Sequence, residues 1–383
     1  MPRKPAKSAE LKRLLASLKT LASKPLKKAQ AMPAAVYTSD ELYDLERSRI
    51  FNKQWLCAGF AGDLPNAGDY LSYRIGEQPI VIIRQKDGSI AAFANVCRHR
   101  MMQLVEGKGN CKHMVCPYHA WTYDIDGRLV VAPHMQERVK SHNDNLSLSS
   151  VRCEVWEGWI YVTLNPKAKP VATALRSLHK IVSDYRMADY VPIVQRDHVW
   201  RSNWKLLCEN FMEGYHLPVA HKATVGPHIG LGDTKFPKRF NRAFTYQLYT
   251  KGPKAPVGNA HPDNTRLKGD QRHTSVLPTI FPSHMISLAP DHLWYLTIQP
   301  KGTGEIQIRY GAALAPEVMA ANDNKDELID GIVDFLDHVN EEDRFVVEGI
   351  YKGAKASLSS PGPLCWLEHE NHDFTKYIAS QLC

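Results

Sequence analysis

The sequence predicts an α+β fold in two domains: a small antiparallel β domain, then a larger domain with an antiparallel sheet and helices. Residues 55–165 hold short runs of alternating apolar and polar residues separated by turn residues, which is the pattern of short antiparallel strands. Similar runs return near the C-terminal end, and a long helical pattern follows from about Asn322 to Ala354. At 383 residues, the chain is long enough for both domains.

The first 30 residues carry the excess charge of the chain. They hold nine Lys or Arg and one acid, Glu10, and the remainder balances at 39 basic and 39 acidic residues. Because a nucleic-acid face is expected within the folded part, we exclude nucleic acid as a partner. Leucines at helical spacing leave two interpretations, a targeting peptide or a flexible or loosely docked arm. We favour the arm and assign it to residues 1–38.

A lead-in segment precedes the β domain. The run Thr38-Ser39-Asp40-Glu41 offers N-cap residues for a helix that extends to about Lys53. We expect residues 39–54 to pack on the larger domain.

The small β domain is predicted from its strands and turns. Lys86-Asp87-Gly88 and Ile125-Asp126-Gly127 have the composition of hairpin turns. The strand pattern occurs in YLSYRI, PIVIIR, IAAFANV, MVCP, WTYDI, RLVVA and WIYVTL.

The larger domain is assigned to residues 166–383. It begins with an amphipathic helix from about Ala172 to Arg186, and the strand pattern returns in HMISLA, HLWYLTIQP and IQIRYGAAL. Residues 222–280 are rich in Gly, Pro, His and Asn, and we expect long loops there that build or cover a site.

Cysteine spacing and hydropathy indicate the compartment. The eight cysteines lack the dense spacing of a disulfide framework, and no signal peptide precedes them. No apolar run reaches the roughly 18 residues that a membrane span needs. We therefore expect a cytoplasmic protein without a membrane partner.

Two loops of the β domain pair one cysteine with one histidine each. Cys97-Arg98-His99 and Cys116-Pro117-Tyr118-His119 form the pattern C-x-H…C-x-x-H. A structural zinc site is the alternative, but zinc fingers group their two Cys separately from their two His. Interleaved ligands suit a binuclear cluster with both Cys on one iron and both His on the other, which predicts a Rieske [2Fe-2S] centre. We interpret the nearby Cys111 as a free thiol and His113 as a surface residue.

A second candidate metal site lies in NWKLLCENFMEGYHLPVAHK, residues 203–222. If this stretch is helical, Glu213 and His216 share a face, and a turn at Pro218 brings His221 to the same centre. Two imidazoles and one carboxylate with open positions are typical of non-haem Fe(II). Two ordinary helix histidines are the alternative, and the upstream cluster motif favours iron.

Together, CRHR…CPYHAWTYDIDGRL and NWKLLCENFMEGYHLPVAHK resemble the large subunit of Rieske non-haem iron oxygenases, the aromatic-ring-hydroxylating oxygenases. The resemblance covers essentially everything from residue 40 onward. It implies that Cys97 and Cys116 bind one cluster iron and that His99 and His119 bind the other.

The same resemblance implies the ligands of the catalytic iron. His216 and His221 would bind Fe(II), and the family's third ligand, an Asp on a downstream helix, matches Asp343 in VNEEDRFVVEGI. The family usually has Asp three residues before the first His, as a bridge between the two metal centres, whereas this chain has Glu213. Members that oxidise quaternary ammonium compounds can carry Glu there. A carboxylate that merely pairs with a surface Lys is the alternative for Glu213.

The resemblance implies a terminal oxygenase that uses O2 and two electrons to hydroxylate or oxidatively dealkylate a small organic substrate. Gly302-x-Gly304 lacks the context of a dinucleotide loop, so a separate NAD(P)H-dependent flavin/iron-sulfur reductase is implied. Length and motifs are similar to members that work as homotrimers, in which the cluster of one subunit serves the iron of the next.

Two substrate classes stay open, and a quaternary ammonium or betaine-like compound is favoured over an aromatic ring or aryl carboxylate. The residues for the first are an aromatic cage and acids, namely Trp294, Tyr295, Tyr310, Glu368, Glu370 and Asp373. The residues for the second are Arg239, Arg242 and Arg266. The alternatives of a different functional class are a Rieske electron carrier and a zinc-binding module. Neither would need a second iron site, which argues against both.

Overall fold

The structure is a computed structural model that describes residues 8–135, 137, 146–228, 230–252 and 257–383. The chain forms two compact units. The smaller unit is Phe51–Ala174, and the larger unit combines the residues up to Ile50 with Leu175–Cys383. The predicted β domain of residues 55–165 lies within the smaller unit, and the predicted lead-in segment divides between the units after Ile50.

The smaller unit contains two antiparallel sheets. The seven-stranded sheet has the order β1-β10-β9-β4-β3-β2-β5, and the three-stranded sheet has the order β6-β7-β8. Their strands are β1 Leu56–Phe60, β2 Asp69–Ile75, β3 Gln78–Arg84, β4 Ile90–Ala94, β5 Lys108–Asn110, β6 His113–Val115, β7 Thr122–Asp124, β8 Leu129–Val131, β9 Ser150–Trp156 and β10 Trp159–Thr163. The seven predicted strands are all present, and both predicted turns join neighbouring strands.

The larger unit is built on one six-stranded antiparallel sheet of order β11-β16-β15-β14-β13-β12. Its strands are β11 Val191–Trp200, β12 Phe244–Thr250, β13 Thr274–Ile280, β14 His284–Leu288, β15 His292–Pro300 and β16 Ile306–Leu314. The described α-helices of the chain are α1 Ala9–Ser23, α2 Ala35–Thr38, α3 Asp40–Glu46, α4 Val171–Ala174, α5 Arg176–Val182, α6 Trp204–Phe211, α7 Leu217–Ala220, α8 Pro316–Ala321, α9 Lys325–Ala354 and α10 His369–Leu382. The α+β prediction is confirmed.

The expectation of long loops through residues 222–280 is wrong for two parts of that segment. Strands β12 and β13 lie within it and pair from Phe244 with Ile280 to Thr250 with Thr274. The Gly- and Pro-rich residues around these strands, and Pro278 inside β13, concealed both strands in the sequence.

The N-terminal segment is not the loosely docked arm that its charge suggested. Ser8 caps α1 by accepting a hydrogen bond from the backbone N–H of Leu11. Helix α1 packs against α10. The buried leucines of α1 are Leu11, Leu14, Leu15, Leu18 and Leu21. Burial of this apolar stripe holds the helix on the larger unit, while its lysines face solvent.

The lead-in helix is shorter than predicted. Ser39 caps α3, which ends at Glu46 and continues as a π-helical turn through Phe51. The buried Glu46 carboxylate accepts hydrogen bonds from Lys205 Nζ at 2.7 Å and from Trp204 Nε1 at 2.8 Å. Because Trp204 and Lys205 start α6, this buried contact positions the helix that leads to the second metal motif. Among the described residues, no helix combines the length and the apolar character needed to cross a membrane.

Candidate metal sites and cavity

Helix α6 ends before the residues of the second metal motif. Asn203 caps its start by accepting from the N–H of Lys205, and the helix stops at Phe211. Glu213 and His216 therefore lie in the following turn and not on a shared helical face, which corrects the helical expectation. His216 then occupies the N-cap position of the short helix α7 without a side-chain capping bond, Pro218 lies in its first turn, and His221 follows directly.

A close backbone contact holds His221 in place. The N–H of Gly226 donates to the carbonyl of His221 at 2.9 Å. A Cβ at residue 226 would meet the Leu217 carbonyl oxygen at 2.5 Å and the His221 carbonyl oxygen at 2.8 Å. Only glycine allows this approach, so Gly226 lets the chain after His221 fold back onto α7.

The structure brings together His216, His221 and Asp343, as the sequence predicts. Their nearest ligand atoms all lie within 4.8 Å of one another. Asp343 Oδ1 is 3.0 Å from Nε2 of His221 and 3.8 Å from Nε2 of His216. Two imidazole nitrogens and one carboxylate oxygen that face one point are the donor set of a non-haem Fe(II) site with open positions. The residues therefore fit the predicted metal.

Carboxylates hold the other ring nitrogen of each histidine. Nδ1 of His221 lies 2.8 Å from Oε2 of Glu342, and Nδ1 of His216 lies 2.5 Å from Oε1 of Glu213. The Thr224 hydroxyl donates to the same Glu342 oxygen at 2.6 Å. Histidines that bind metals usually donate their second N–H to an acceptor of this kind, which leaves Nε2 free for the metal.

The charge around His221 favours a cation. Its side chain is 2% exposed. Burial lowers the pKa of His221, but the contacts with Asp343 and Glu342 raise it, and the net pKa lies above the ordinary value. The same acceptors would stabilise a metal ion bound at Nε2.

Glu213 does not pair with a lysine in the described part of the chain. Its second oxygen, Oε2, accepts from the backbone N–H of His216 at 3.1 Å. Both oxygens thus contact the same histidine residue, which fixes the ring of His216. This corrects the alternative in which Glu213 merely pairs with a surface lysine.

The two loops of the cluster motif have matching backbones. The carbonyl of Cys97 accepts from the N–H of Met101 at 3.0 Å, and the carbonyl of Cys116 accepts from the N–H of Ala120 at 3.0 Å. Met101 and Ala120 both adopt the left-handed region, with φ of 61° and 54°. The N–H of each Cys also donates, at 2.8 Å, to the carbonyl of the residue that follows Met101 or Ala120. Two equivalent knuckles therefore present one Cys each.

The side chains of these loops segregate as a binuclear cluster requires. Cys97 and Cys116 are 2% and 3% exposed and belong to one buried core with Tyr123. The rings of His99 and His119 lie outside that core, with centroids 4.7 Å apart. Two buried thiols and two adjacent imidazoles fit a [2Fe-2S] cluster in which both thiolates bind one iron and both imidazoles bind the other.

The residues that the sequence analysis set aside keep their predicted character. Cys111 is a free thiol, and burial raises its pKa. His113 is exposed, with Nδ1 3.8 Å from Oδ1 of Asp124. The hydroxyl of Tyr123, which lies 3.5 Å from Sγ of Cys97 and accepts from the N–H of Arg98 at 2.9 Å, was not anticipated.

A cavity of about 650 Å³ opens onto the His216, His221 and Asp343 side chains. Helix α9 contributes an apolar stripe to its wall, and the sheet contributes Trp294, Tyr295 and Tyr310, as the aromatic-cage hypothesis requires. The Tyr310 hydroxyl donates to Asp337 at 2.8 Å. The stripe on α9 consists of Leu328, Ile332, Phe335, Leu336 and Val339.

Other charged residues proposed for substrate binding do not line the described cavity. Arg239, Arg242 and Arg266 are outside its wall, and Arg266 pairs with Glu317 at 3.3 Å. The acids Glu368, Glu370 and Asp373 are also outside it. Glu370 and Asp373 are buried in α10, where Asp373 accepts from Lys376 at 2.9 Å. Neither charged set therefore contributes to the described cavity wall, since Arg239 and Arg242 are exposed and Glu370 and Asp373 are buried elsewhere in the larger unit.

Comparison with known protein families agrees with both sites. Residues 187–383 match the ring hydroxylating alpha subunit (catalytic domain), and residues 54–153 match the Rieske [2Fe-2S] domain. The chain belongs to the ring-hydroxylating alpha-subunit family. This confirms the resemblance drawn from the motifs, and with it the prediction of a Rieske cluster and a catalytic non-haem iron as the cofactors of the two domains.

Curated relatives of this ring-hydroxylating alpha subunit are named for quaternary ammonium substrates. The glycine betaine monooxygenase oxygenase subunit of Pseudomonas aeruginosa is 32% identical over 219 residues, covering 57% of this chain and 51% of the relative. The carnitine monooxygenase oxygenase subunit of Escherichia coli K12 is 33% identical over 196 residues, covering 50% and 52%. The chain spans about half the length of these curated relatives.

A solved structure gives the fold of the ring-hydroxylating alpha subunit over nearly its full length. The quaternary ammonium Rieske monooxygenase CntA, in complex with an inhibitor, matches with a TM-score of 0.81 at 22% identity. The match covers 95% of this chain and 98% of that chain.

Sequence reasoning missed the residues that contact the candidate iron ligands of this alpha subunit. Glu342 and Thr224 contact His221 or its acceptor, and Asn210 Nδ2 lies 3.4 Å from Nε2 of His216. Glu342 stands next to the predicted ligand Asp343, so the run of acids in VNEEDRF was the available signal.

Proposed function

We propose that the protein is the terminal oxygenase of a multicomponent system. It uses O2 and two electrons from a separate NAD(P)H-dependent flavin/iron-sulfur reductase to hydroxylate or oxidatively dealkylate a small organic substrate. The observation that carries this proposal is the convergence of His216, His221 and Asp343 at the wall of a cavity. A chain that also has two Rieske knuckles combines an electron entry point with a site for oxygen chemistry.

The residues at the cavity wall have defined roles in this proposal. His216, His221 and Asp343 hold Fe(II), which when bound supplies O2 activation. Glu342 and Thr224 keep His221 in the orientation that exposes Nε2. Apolar side chains of α9 exclude water from the reacting carbon.

The cluster ligands of the proposal are Cys97, His99, Cys116 and His119. Neutral imidazoles in place of two thiolates raise the reduction potential to roughly −150 to +300 mV, above that of an all-Cys cluster. Electron transfer from a reductase to such a centre is therefore favourable.

Glu213 connects the two centres in a homotrimer. One of its oxygens contacts Nδ1 of His216, and a carboxylate can accept a second N–H. We assign the second N–H to His119 of a neighbouring subunit. Head-to-tail contacts of this kind close into a ring, and a solved quaternary ammonium Rieske monooxygenase is described in terms of inter-subunit electron transfer. The expected compartment is the cytoplasm.

The favoured substrate is a quaternary ammonium or betaine-like compound. The names of the relatives support this class. Trp294 and Tyr310 at the cavity wall offer aromatic faces to a methylated ammonium. An aryl carboxylate is the second candidate, because the cavity is mostly apolar and contains a lysine. A pure electron carrier or a zinc module would leave the His216 site without a role.

The proposal is tested with purified protein, a surrogate reductase and NADH. We expect a red-brown protein with a reduced-state EPR signal, and NADH and O2 consumption that depends on a betaine or carnitine substrate. A colourless zinc protein would overturn the cluster assignment. A coloured protein that consumes no O2 with quaternary ammonium or aryl carboxylate substrates would overturn the oxygenase assignment.

A further inference from the structure

The cavity is longer than a small ammonium compound needs. Helix α9 lines it from Leu328 to Asp343, which is fifteen residues further along the helix. At 1.5 Å per residue, this stretch is about 22 Å long. The iron-site residue Asp343 stands at one end of the stretch, and Leu328 stands near the start of the helix.

Strand β12 and the residue after it contribute a row of side chains to the cavity wall on the sheet side. Gln247, Tyr249 and Lys251 alternate onto the cavity wall. Gln247 Nε2 donates to the carbonyl of Phe211 at 3.3 Å, at the end of the helix that leads to the iron-site turn. At about 3.3 Å per residue, Lys251, the first residue after β12, lies about 13 Å beyond Gln247 along the chain.

Lys251 is held at this far position by backbone contacts. Its N–H donates to the carbonyl of His273 at 2.8 Å, which extends the pairing of β12 with β13. Its side chain lies across Gly258, which has a φ of +84°, and a Cβ there would meet Lys251 Nζ at 2.9 Å. The ammonium donates to the Val257 carbonyl at 3.4 Å, a long hydrogen bond.

The positive charge of Lys251 lacks a close acid among the described residues. Asp291 also lines the cavity, but its Oδ2 accepts from the Gly258 N–H at 2.7 Å, and its Oδ1 lies 2.7 Å from His292 Nδ1. No described carboxylate lies within 4 Å of Lys251 Nζ. Burial lowers the pKa of Lys251, while the charge of Asp291 raises it.

Lys251 is also the only Lys or Arg among the described residues of the cavity wall. The acids of the wall other than Asp291 are Glu213 and Asp343, and both belong to the iron site. The cavity therefore has two carboxylates at the iron site, an apolar stripe along α9, and one ammonium at Lys251, whose neighbouring acid Asp291 is already engaged by Gly258 and His292.

We propose that Lys251 binds the carboxylate of an elongated substrate whose opposite end reaches the iron-site residues. This inference rests on the proposed function and restricts its candidate substrates to compounds that carry a carboxylate, whether betaine-like or aryl. One ammonium matches one singly charged headgroup, and a charge-assisted hydrogen bond fixes which end of the substrate points to the iron. A cationic substrate that has no carboxylate would offer Lys251 no anionic partner.

Matched probes test the carboxylate site without turnover. Octanoate, octan-1-ol and octylammonium have the same chain and differ in the headgroup. Their binding to the iron-loaded protein is measured by titration calorimetry for the native chain and for K251M, K251R and K301M. Lys301 is an exposed lysine of the same unit outside the described cavity wall, so K301M is the control for loss of one positive charge.

We expect octanoate to bind the native protein more tightly than octan-1-ol, with octylammonium weakest. K251M should weaken octanoate about 10- to 100-fold and leave octan-1-ol unchanged, while K251R and K301M keep octanoate binding. Equal binding of octanoate and octan-1-ol by the native protein would overturn the inference, and that comparison needs no variant. Absent octanoate binding, or unchanged octanoate binding in K251M, would also overturn it.

A turnover measurement separates this inference from the proposed function. O2 consumption is followed with 6-(trimethylammonio)hexanoate and with its primary amide. If octanoate binding depends on Lys251 but neither compound nor any other carboxylate is oxidised, the proposed function fails and the carboxylate site stands. If the amide and the acid are oxidised with equal KM, and K251M changes neither value, the oxygenase stands and the carboxylate site fails.

Discussion

The two candidate metal sites differ in how the chain builds them. The cluster site has all four candidate ligands in two short loops, between Cys97 and His119, and repeated backbone hydrogen bonds shape both loops. The iron site joins a turn at His216 to a helix residue, Asp343, that lies 127 positions later, and side-chain carboxylates orient its histidines. The cluster site is therefore specified locally, whereas the iron site depends on the tertiary structure of the larger unit.

This difference predicts that a substitution at one centre leaves the metal of the other centre in place. A ligand change at the cluster should act within its own unit, because the backbone of each knuckle forms without the other site. A change at the iron site should leave the cluster unaltered. The iron site can also be weakened by substituting residues that do not bind the metal, such as Glu342, which contacts His221.

The largest effect is expected from Asp343→Ala. Removing the carboxylate leaves two imidazoles, too few for a stable Fe(II) site, so mononuclear iron and all product formation should be lost. The Rieske absorption and EPR spectra should be unchanged. Metal analysis and a turnover assay measure the two outcomes.

Glu341→Ala is the matched control for this loss. Glu341 is an exposed acid on the same helix that pairs with Arg344 at 3.7 Å. Its removal should keep iron and activity. Iron occupancy and turnover in the Asp343 variant would mean that the third ligand lies elsewhere, with Glu342 or Glu348 as the next candidates.

Substitution in a cluster knuckle gives the reverse pattern. Cys116→Ser or His119→Ala should bleach the protein, because each removes a cluster ligand, while iron still binds at the His216 site. Absorption spectra and iron counts test this result. Cys111→Ser, a change at a free thiol in the same unit, should keep the colour. A red-brown Cys116 variant would contradict the cluster assignment.

Glu213→Gln tests the proposed connection between the two sites. A carboxylate accepts from two N–H groups, whereas the amide of glutamine can accept from one histidine and presents its NH2 to the other. Both metal centres and the oligomer should persist, and substrate turnover should fall by orders of magnitude. Glu213→Asp keeps the carboxylate and should retain much more activity than the Gln variant.

Light scattering on the same variants tests the ring. We expect a trimer for the native protein and for both Glu213 variants. A catalytically active monomer, or native turnover rates in a Gln variant with intact cluster and iron, would exclude Glu213 as a bridge between subunits.

The sequence predicted the local features of both units well. The Cys97 and Cys116 knuckles are complete within 23 residues, and ligand types at close spacing are visible without knowing the fold. Strands such as β15 and β16 alternate clearly and were found. Asp343 lies far from the histidines along the chain, and on spacing alone it is one more acid of an amphipathic helix. Its prediction therefore required the family resemblance.

Features that depend on tertiary contacts were missed. Strands β12 and β13 were expected to be loops, so Lys251 had no predicted place on a cavity wall. Helix α10 buries Glu370 and Asp373, which composition alone assigns to the surface. Helix α1 is basic enough to suggest a loose arm, but its leucines are buried because the helix packs against α10. Tertiary packing outweighed local composition in each case.

The smallest expected effect concerns the acceptor that orients His221. Glu342→Gln keeps the shape of the side chain but removes the charge that stabilises a metal-bound imidazole through Nδ1. Fe(II) affinity should fall about 10- to 100-fold, as for other acceptors of this kind, with the cluster spectrum unchanged. Thr224→Val removes one hydrogen bond to Glu342, worth about 1 kcal/mol, and should lower the affinity by less than about tenfold. Fe(II) titration after chelator treatment compares both with the native protein. If Glu342→Gln binds Fe(II) as tightly as the native chain does, the carboxylate neither orients His221 nor stabilises the metal through its charge. The residues around His216 and His221 would then form the site without this contact from the distant helix, as the loops of the cluster site do.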